Sequence, residues 1–321
     1  MTQGSDSPAI LLSSGPWAPE AWADAVRELE PKRPLHVWPD APSDRSGIGY
    51  VLAWKSPQAV FDNLANLRLV FSLGAGVDHL SGLDLPDVPV VRIVDDDLTA
   101  RMTEWVVLQV LMHHRRQLVY QRQQVARQWR ALAQPRADEV RVGVMGLGVL
   151  GEASARAIAA LGFDVAGWSR TPKDIDGIAS YAGNDNLDAF LRRTDILVCL
   201  LPLTEATRGL LARPLFARLA RDGALPGPVL INAGRGASQV ENDVVAALRD
   251  GTLAGASLDV FAEEPLPPAS PLWDAPNLIV SPHVSAPSSP AALTRRIVRQ
   301  IAAYERNGTL PDGIVDRSAW Y

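Results

Sequence analysis

The chain has 321 residues, enough for two domains with separate cores at roughly 100–200 residues per domain. Apolar residues at 47% and charged residues at 21% are ordinary for a soluble globular protein, and at a net charge of −5 nothing is basic enough for a nucleic-acid face, so binding to nucleic acid is not expected. The single cysteine, Cys199, cannot form an internal disulfide, and its apolar run DILVCL marks it as a buried small hydrophobe. No apolar stretch is long enough to span a membrane, and MTQGSDSPAILLSS lacks the basic region of a signal peptide, so a cytoplasmic protein is expected.

In chain order, AILLSS (9–14) reads as a strand and PEAWADAVRELE (19–30) as a helix whose first turn suits Pro19 and Glu20. LHVWP, GYVLAW, LRLVFSL and PVVRIV follow as strands, with PQAVFDNL as a short helix between two of them. Residues 98–130 lack Pro and Gly and predict one long helix with a polar, arginine-rich second half, suited to bridging domains or packing on a partner subunit. From Val140 the alternation resumes: VRVGVMG, FDVAGWS, DILVCLLP, PVLINAG, GASLDVF and LIVSPHV read as buried parallel strands, with EASARAIAALG and NDVVAALRDG among the helices between them. A last helix, AALTRRIVRQIAAYERNG, follows Pro290 and is placed back on the first domain. The fold class is therefore α/β, with parallel sheets in two Rossmann-like domains. The nine tryptophans are scattered and read mostly as core or interface anchors.

VGVMGLGVLGEASARA places Gly146, Gly148 and Gly151 in G-x-G-x-x-G spacing between a strand and a helix, the context of a dinucleotide site. Gly146 permits the turn, Gly148 lets a pyrophosphate approach the backbone, and Gly151 lets helix and strand pack closely. Val149 and Leu150 complete this loop at the helix N-terminus, where free N–H groups favour phosphate. Eighteen positions beyond Gly151, where a carboxylate would bind a ribose 2′-OH, the chain has Ser169 and Arg170. Arg170 can grip a 2′-phosphate, Ser169 and Thr171 can add hydroxyls, and Lys173 can add charge, so NADPH is the expected cofactor. The alternative is that Arg170 is a solvated surface residue and NADH serves as well.

Three polar residues follow other predicted strands: Arg235 in INAGRG, Glu264 in LDVFAEEPLP and His283 in SPHVSAPS. A 2-keto acid reductase needs these types. A guanidinium holds the carboxylate and polarises the ketone, an imidazole delivers a proton, and a carboxylate orients the imidazole. Arg235 in isolation reads equally well as a salt-bridge residue.

Together GLGVLG (146–151), LPLTEATRGLL (201–211), INAGRG (231–236), LDVFAEEPLP (258–267) and SPHVSAPS (281–288), with SLGAGVDHL (72–80) and RMTEWV (101–106), resemble the D-isomer-specific 2-hydroxyacid dehydrogenase family over nearly the whole chain. The resemblance implies a substrate-binding domain of 1–100 plus 290–321, flavodoxin-like, a dinucleotide-binding domain of 101–289, and an interdomain active-site cleft. It implies Arg235 as the substrate-binding arginine, His283 as acid/base, and Glu264, rather than Glu263, as its partner. Asp259 would contact the nicotinamide carboxamide, and Leu201, Pro202, Thr204 and Ala233 would line the cofactor. Backbone N–H groups around Gly74, Ala75 and Gly76 would hold the substrate carboxylate, which fits a glycine-bordered anion nest. No metal is required, and a homodimer through 98–130 is implied. His79 lies near the substrate loop but takes a bland reading, and His113 and His114, on the long helix, read as packing or interface residues.

Within the family, VLAWKSP (51–57) and GWSRTPK look like the glyoxylate/hydroxypyruvate reductase A group. Trp54 would wall a small substrate pocket and Lys55 would add charge near the carboxylate, against the alternative of a core tryptophan and a surface lysine. The sequence departs after the histidine, where Pro287 and Pro290 reshape the loop, so a bulkier 2-keto acid is the alternative substrate. Formate oxidation is disfavoured, because the family's formate enzymes pair the histidine with glutamine where this chain has Glu264. A silent dinucleotide sensor is disfavoured by the retained Arg235, Glu264 and His283.

Overall fold

In the computed structural model, residues 7–287, 289–318 and 320 are described. The chain divides into two units, Met1–Leu98 with Ser288–Tyr321, and Thr99–Pro287.

In the first unit the apolar runs become β1 (Ala9–Ser13), β2 (Leu35–Val37), β3 (Ile48–Ala53), β4 (Leu69–Ser72) and β5 (Val90–Val91). They pair in parallel in the order β2-β1-β3-β4-β5, the flavodoxin-like order. Period-two alternation divides the strand side chains between two faces. Ile10, Leu12, Tyr50, Leu52, Leu69 and Phe71 pack on one side with Trp22 and Val26 of α1 (Glu20–Leu29). Leu11, Val51 and Val70 pack on the other with Val60, Phe61 and Leu80. The C-terminal helix, here α8 (Pro290–Asn307), lays Leu293, Ile297 and Ile301 into the first of these cores. Each such side chain contributes roughly 1.5–3 kcal/mol on burial. Arg33 locks the same region by a forked pair with Glu305 at 2.9 and 2.8 Å, and the Tyr50 hydroxyl donates to Glu305 at 3.0 Å.

The second unit holds β6 (Arg141–Met145), β7 (Asp164–Ser169), β8 (Ala179–Ala182), β9 (Ile196–Cys199), β10 (Val229–Asn232), β11 (Gly255–Leu258) and β12 (Leu278–Val280). They form one parallel sheet, ordered β12-β11-β10-β9-β6-β7-β8. Among its helices are α4 (Val149–Ala160), α5 (Leu187–Arg192), α6 (Arg213–Phe216) and α7 (Glu241–Asp250). Cys199 is fully buried in one face of the core, and desolvation pushes its thiol up to about 11.

The long helix expected over 98–130 is broken. α2 (Asp96–His114) stops where the Arg116 N–H turns tightly onto the His113 carbonyl at 3.0 Å and Arg116 takes φ 54. α3 (Gln117–Val125) then stops before Arg127, at φ 54. The polar second half offers no apolar stripe to bury, and packing sustains most helices. Val125 and Trp129 are instead 87% and 103% exposed. Likewise PQAVFDNL yields a single 3-10 turn, Gln58–Val60, which suffices to insert Val60 and Phe61 into the core. β8, α5 and α6 were not foreseen. β8 is an edge strand of partly exposed residues without an apolar run.

Candidate active site

All strands of the second sheet run in parallel, so the loops leaving their C-terminal ends gather along one edge. The glycine loop joins β6 to α4. Gly146 has φ 102, and a Cβ there would lie 2.9 Å from the Leu200 carbonyl oxygen. A Cβ on Gly151 would fall 1.8 Å from the Gly146 carbonyl oxygen. A Cβ on Gly148 would meet nothing within 4 Å, so this glycine faces open space at the N-terminus of a 12-residue helix. That combination fits a pyrophosphate against backbone N–H groups. Val149 is exposed beside it, and Leu150 packs on the core.

At the end of β7, Arg170, Thr171 and Lys173 are exposed. Ser169 is buried and its hydroxyl donates to the Thr171 carbonyl at 2.7 Å, so its proton shapes the turn that presents Arg170. Beyond β9, Leu201 is buried while Pro202 and Thr204 are half-buried. The Thr207 hydroxyl fixes this loop by donating to the Pro202 carbonyl at 2.7 Å and accepting the Thr204 N–H at 2.8 Å. Ala233 is buried at the end of β10, its N–H on the Cys199 carbonyl.

Arg235, Glu264 and His283 follow β10, β11 and β12, three neighbouring strands. Arg235 is half-buried, with Nη1 donating to the Gly234 carbonyl at 2.7 Å. A Cβ on Gly236 would fall 1.9 Å from the Phe261 carbonyl carbon, so the arginine loop lies directly on the loop bearing Glu264. Buried amides tie the two: Asn232 Nδ2 donates to Gln239 Oε1 at 2.8 Å, and Gln239 Nε2 to the Val260 carbonyl at 2.9 Å. The Glu264 oxygens lie 3.0 and 2.9 Å from His283 Nδ1, and Oε1 also accepts the Phe261 N–H at 3.1 Å. An ionised carboxylate only accepts, so Nδ1 carries a proton and Nε2 is the nitrogen that exchanges one.

His283 itself has φ 53. Its N–H donates to the Asp259 carbonyl at 2.8 Å and the Ser281 carbonyl at 3.0 Å. The fully buried Asp259 carboxylate accepts the Ser281 hydroxyl at 2.5 Å and the N–H groups of Val284 and Ser285 at 3.0 and 2.9 Å. Asp259 thus sits behind the histidine loop and clamps it. Ser281, Asn232 and Gln239 had no part in the reading of the sequence. Only the nearness of Ser281 to His283 in SPHVS hinted at a role.

In the first unit, Trp54 and Lys55 follow β3, and Gly74, Ala75 and Gly76 follow the neighbouring β4. Trp54 is buried, stacks on Trp17 at 4.7 Å and 9°, and covers Gly74, where a Cβ would lie 2.3 Å from its ring. Lys55 is exposed, with φ 44. His79 packs edge-on to Trp54 at 4.6 Å. His113 is bonded to Ser257 at 2.8 Å, and His114 is buried against Phe163. These last two pack within the second unit.

The D-isomer specific 2-hydroxyacid dehydrogenase, NAD binding domain family matches residues 107–285. The chain belongs to the D-isomer-specific 2-hydroxyacid dehydrogenase family. This dehydrogenase is 40% identical over 304 residues to the glyoxylate/hydroxypyruvate reductase A of Serratia proteamaculans (strain 568), covering 92% of this chain and 95% of that one. It is similar in structure to an NADPH-dependent glyoxylate/hydroxypyruvate reductase from Sinorhizobium meliloti, solved with NADP and sulfate, at TM-score 0.92 and 47% identity over 98% of this chain and 100% of that one. A probable 2-hydroxyacid dehydrogenase from Rhizobium etli CFN 42, solved with NADP, HEPES and L(+)-tartaric acid, gives TM-score 0.93 and 46% identity over 98% and 99%. Among the described residues no helix is long and apolar enough to cross a membrane.

Proposed function

We propose that this chain reduces a small 2-keto acid of the glyoxylate or hydroxypyruvate type to the D-2-hydroxy acid with NADPH. The observation that carries this reading is the Glu264–His283 pair, 2.9–3.0 Å apart and seated beside the arginine loop. NADPH, when bound, supplies a hydride to C2 of the keto acid. Arg235 holds the substrate carboxylate and stabilises negative charge developing on the ketone oxygen. His283, oriented through Nδ1 by Glu264, delivers a proton from Nε2 to that oxygen. On the first unit, backbone N–H groups around Ala75 and Gly76 form the proposed carboxylate-binding loop, with Trp54 limiting and Lys55 charging its surroundings. Gly146, Gly148, Val149, Leu150 and Gly151 hold the pyrophosphate, Arg170, Thr171 and Lys173 hold the 2′-phosphate, and Leu201, Pro202, Thr204 and Ala233 line the nucleotide.

The relatives' names and their bound NADP support this choice of substrate and cofactor. The test is His283→Ala: turnover of glyoxylate with NADPH should fall by about 10²–10⁴-fold while NADPH still binds. Turnover near wild type would reject the assignment.

We further propose a homodimer built through 98–130, where Val125 and Trp129 stand exposed, and a cytoplasmic location, which suits the lone buried thiol. Light scattering should return about twice the 34.6 kDa chain mass, and a monomer at micromolar concentration would contradict the dimer.

A further inference from the structure

We infer that His79, acting through Ser72, is a positioning residue for the substrate carboxylate: it couples the Lys55 turn to the Gly74–Gly76 loop and thereby sets the KM for the keto acid. The inference rests on the reading that this loop holds the carboxylate.

The hydrogen bonds fix the direction of the relay. His79 Nδ1 accepts the Lys55 N–H at 3.2 Å. A backbone amide only donates, so Nδ1 is unprotonated and the neutral ring carries its proton on Nε2. Nε2 lies 3.1 Å from the Ser72 hydroxyl oxygen and donates to it. That oxygen also accepts the Gly74 N–H at 3.3 Å, and its own proton serves the Gly74 or Gly76 carbonyl, each at 3.0 Å.

These contacts decide which way the loop's peptides face. The carbonyls of Gly74 and Gly76 turn inward to Ser72. The peptide between Gly74 and Ala75 is trans, and a trans peptide points its C=O and N–H in opposite directions. The Ala75 N–H therefore points away from Ser72, as an anion-binding loop requires. His79 determines this by holding Ser72 as an acceptor, which leaves the serine proton for the glycine carbonyls.

One further contact keeps the imidazole in place. Trp54 meets it edge-on at 4.6 Å and 61°, and the same indole covers Gly74. On its other nitrogen, His79 supports the left-handed turn at Lys55, φ 44, a conformation that a lysine rarely holds unaided. β3 and β4 are neighbours with Ala53 opposite Ser72, so both turns leave the sheet side by side and one ring spans them.

The test measures kcat and KM for glyoxylate at saturating NADPH in the full-length enzyme. His79→Phe keeps an aromatic edge for Trp54 but neither hydrogen bond. It should raise the glyoxylate KM about tenfold, with kcat within about twofold and the NADPH KM unchanged. Ser72→Ala should do the same, and His79→Gln, which can still donate to Ser72, should recover part of the loss. Unchanged KM in both His79→Phe and Ser72→Ala would overturn the inference, as would a fall in kcat with no change in KM. If His79→Phe fails to fold, Ser72→Ala and His79→Gln decide between the same outcomes. Ala75→Pro separates the inference from the reading beneath it, because proline has no N–H. A raised KM there with unaltered His79 and Ser72 variants leaves the loop reading standing and rejects the relay. An unaltered KM in Ala75→Pro removes the loop reading and the relay with it.

Discussion

Asp259→Asn is isosteric, yet it should disable the histidine loop. The carboxylate receives two donors on Oδ1, from Ser281 and Val284, and one on Oδ2, from Ser285. Asparagine keeps one accepting oxygen and puts an NH2 group in place of the other. At least one buried N–H then faces a donor, at a cost of about 1–3 kcal/mol, and the charge assistance to the rest is lost. The loop can relieve this only by shifting, and it carries His283 in a left-handed conformation held by the Asp259 and Ser281 carbonyls. A displacement of about 1 Å at a reacting group can cost about 10²-fold, so kcat should fall by roughly 10–10²-fold. Steady-state kinetics with hydroxypyruvate, paired with NADPH titration by nucleotide fluorescence, measures both consequences. NADPH affinity should stay within about threefold of wild type, since the fully buried carboxylate lies behind the loop. Wild-type kcat with NADPH bound more than tenfold weaker would refute the clamp and make Asp259 a cofactor contact.

Arg235→Ala should lower kcat/KM by about 10²–10³-fold with NADPH binding intact, read by the same pair of assays; unchanged turnover would reject its role. Arg170→Ala should weaken NADPH by about tenfold or more and leave NADH nearly unaffected, so equal losses with both cofactors would contradict a 2′-phosphate contact. Desolvation pushes His113 down to about 4. The unfolded chain takes up that proton near pH 6.5, so the folded state loses stability as pH falls from about 6.5 towards 4, by about 2 kcal/mol on reaching pH 5. Urea melts at pH 7 and pH 5 should show this loss in wild type and a smaller one in His113→Gln; identical losses would contradict it.

Strands were legible where burial on both faces made a short continuous apolar run bounded by turn residues, as in AILLS and ILVC. The edge strand ASYA escaped, since its exposed and half-buried residues require no apolar run. The stretch 98–130 misled because the absence of Pro and Gly permits a helix without supplying anything to pack it, and left-handed residues at Arg116 and Arg127 ended both pieces. Arg235, Glu264 and His283 were readable because each follows a strand and carries chemistry. His79 was placed near the substrate loop, but its coupling role was not legible, since that lies in contacts with the Lys55 N–H, 24 positions away, and with a serine hydroxyl. Asp259 was noticed in the sequence, but only the fold shows that its carboxylate turns to the histidine loop.

The most direct measurement is a matched reduction assay of the purified chain, NADPH against NADH, on glyoxylate, hydroxypyruvate, pyruvate and phenylglyoxylate. Fast turnover of glyoxylate or hydroxypyruvate with NADPH, and much slower turnover with NADH, is the expected result. Activity confined to NADH, or to phenylglyoxylate alone, would contradict the assignment of Arg170 in the one case and the size limit proposed for Trp54 in the other.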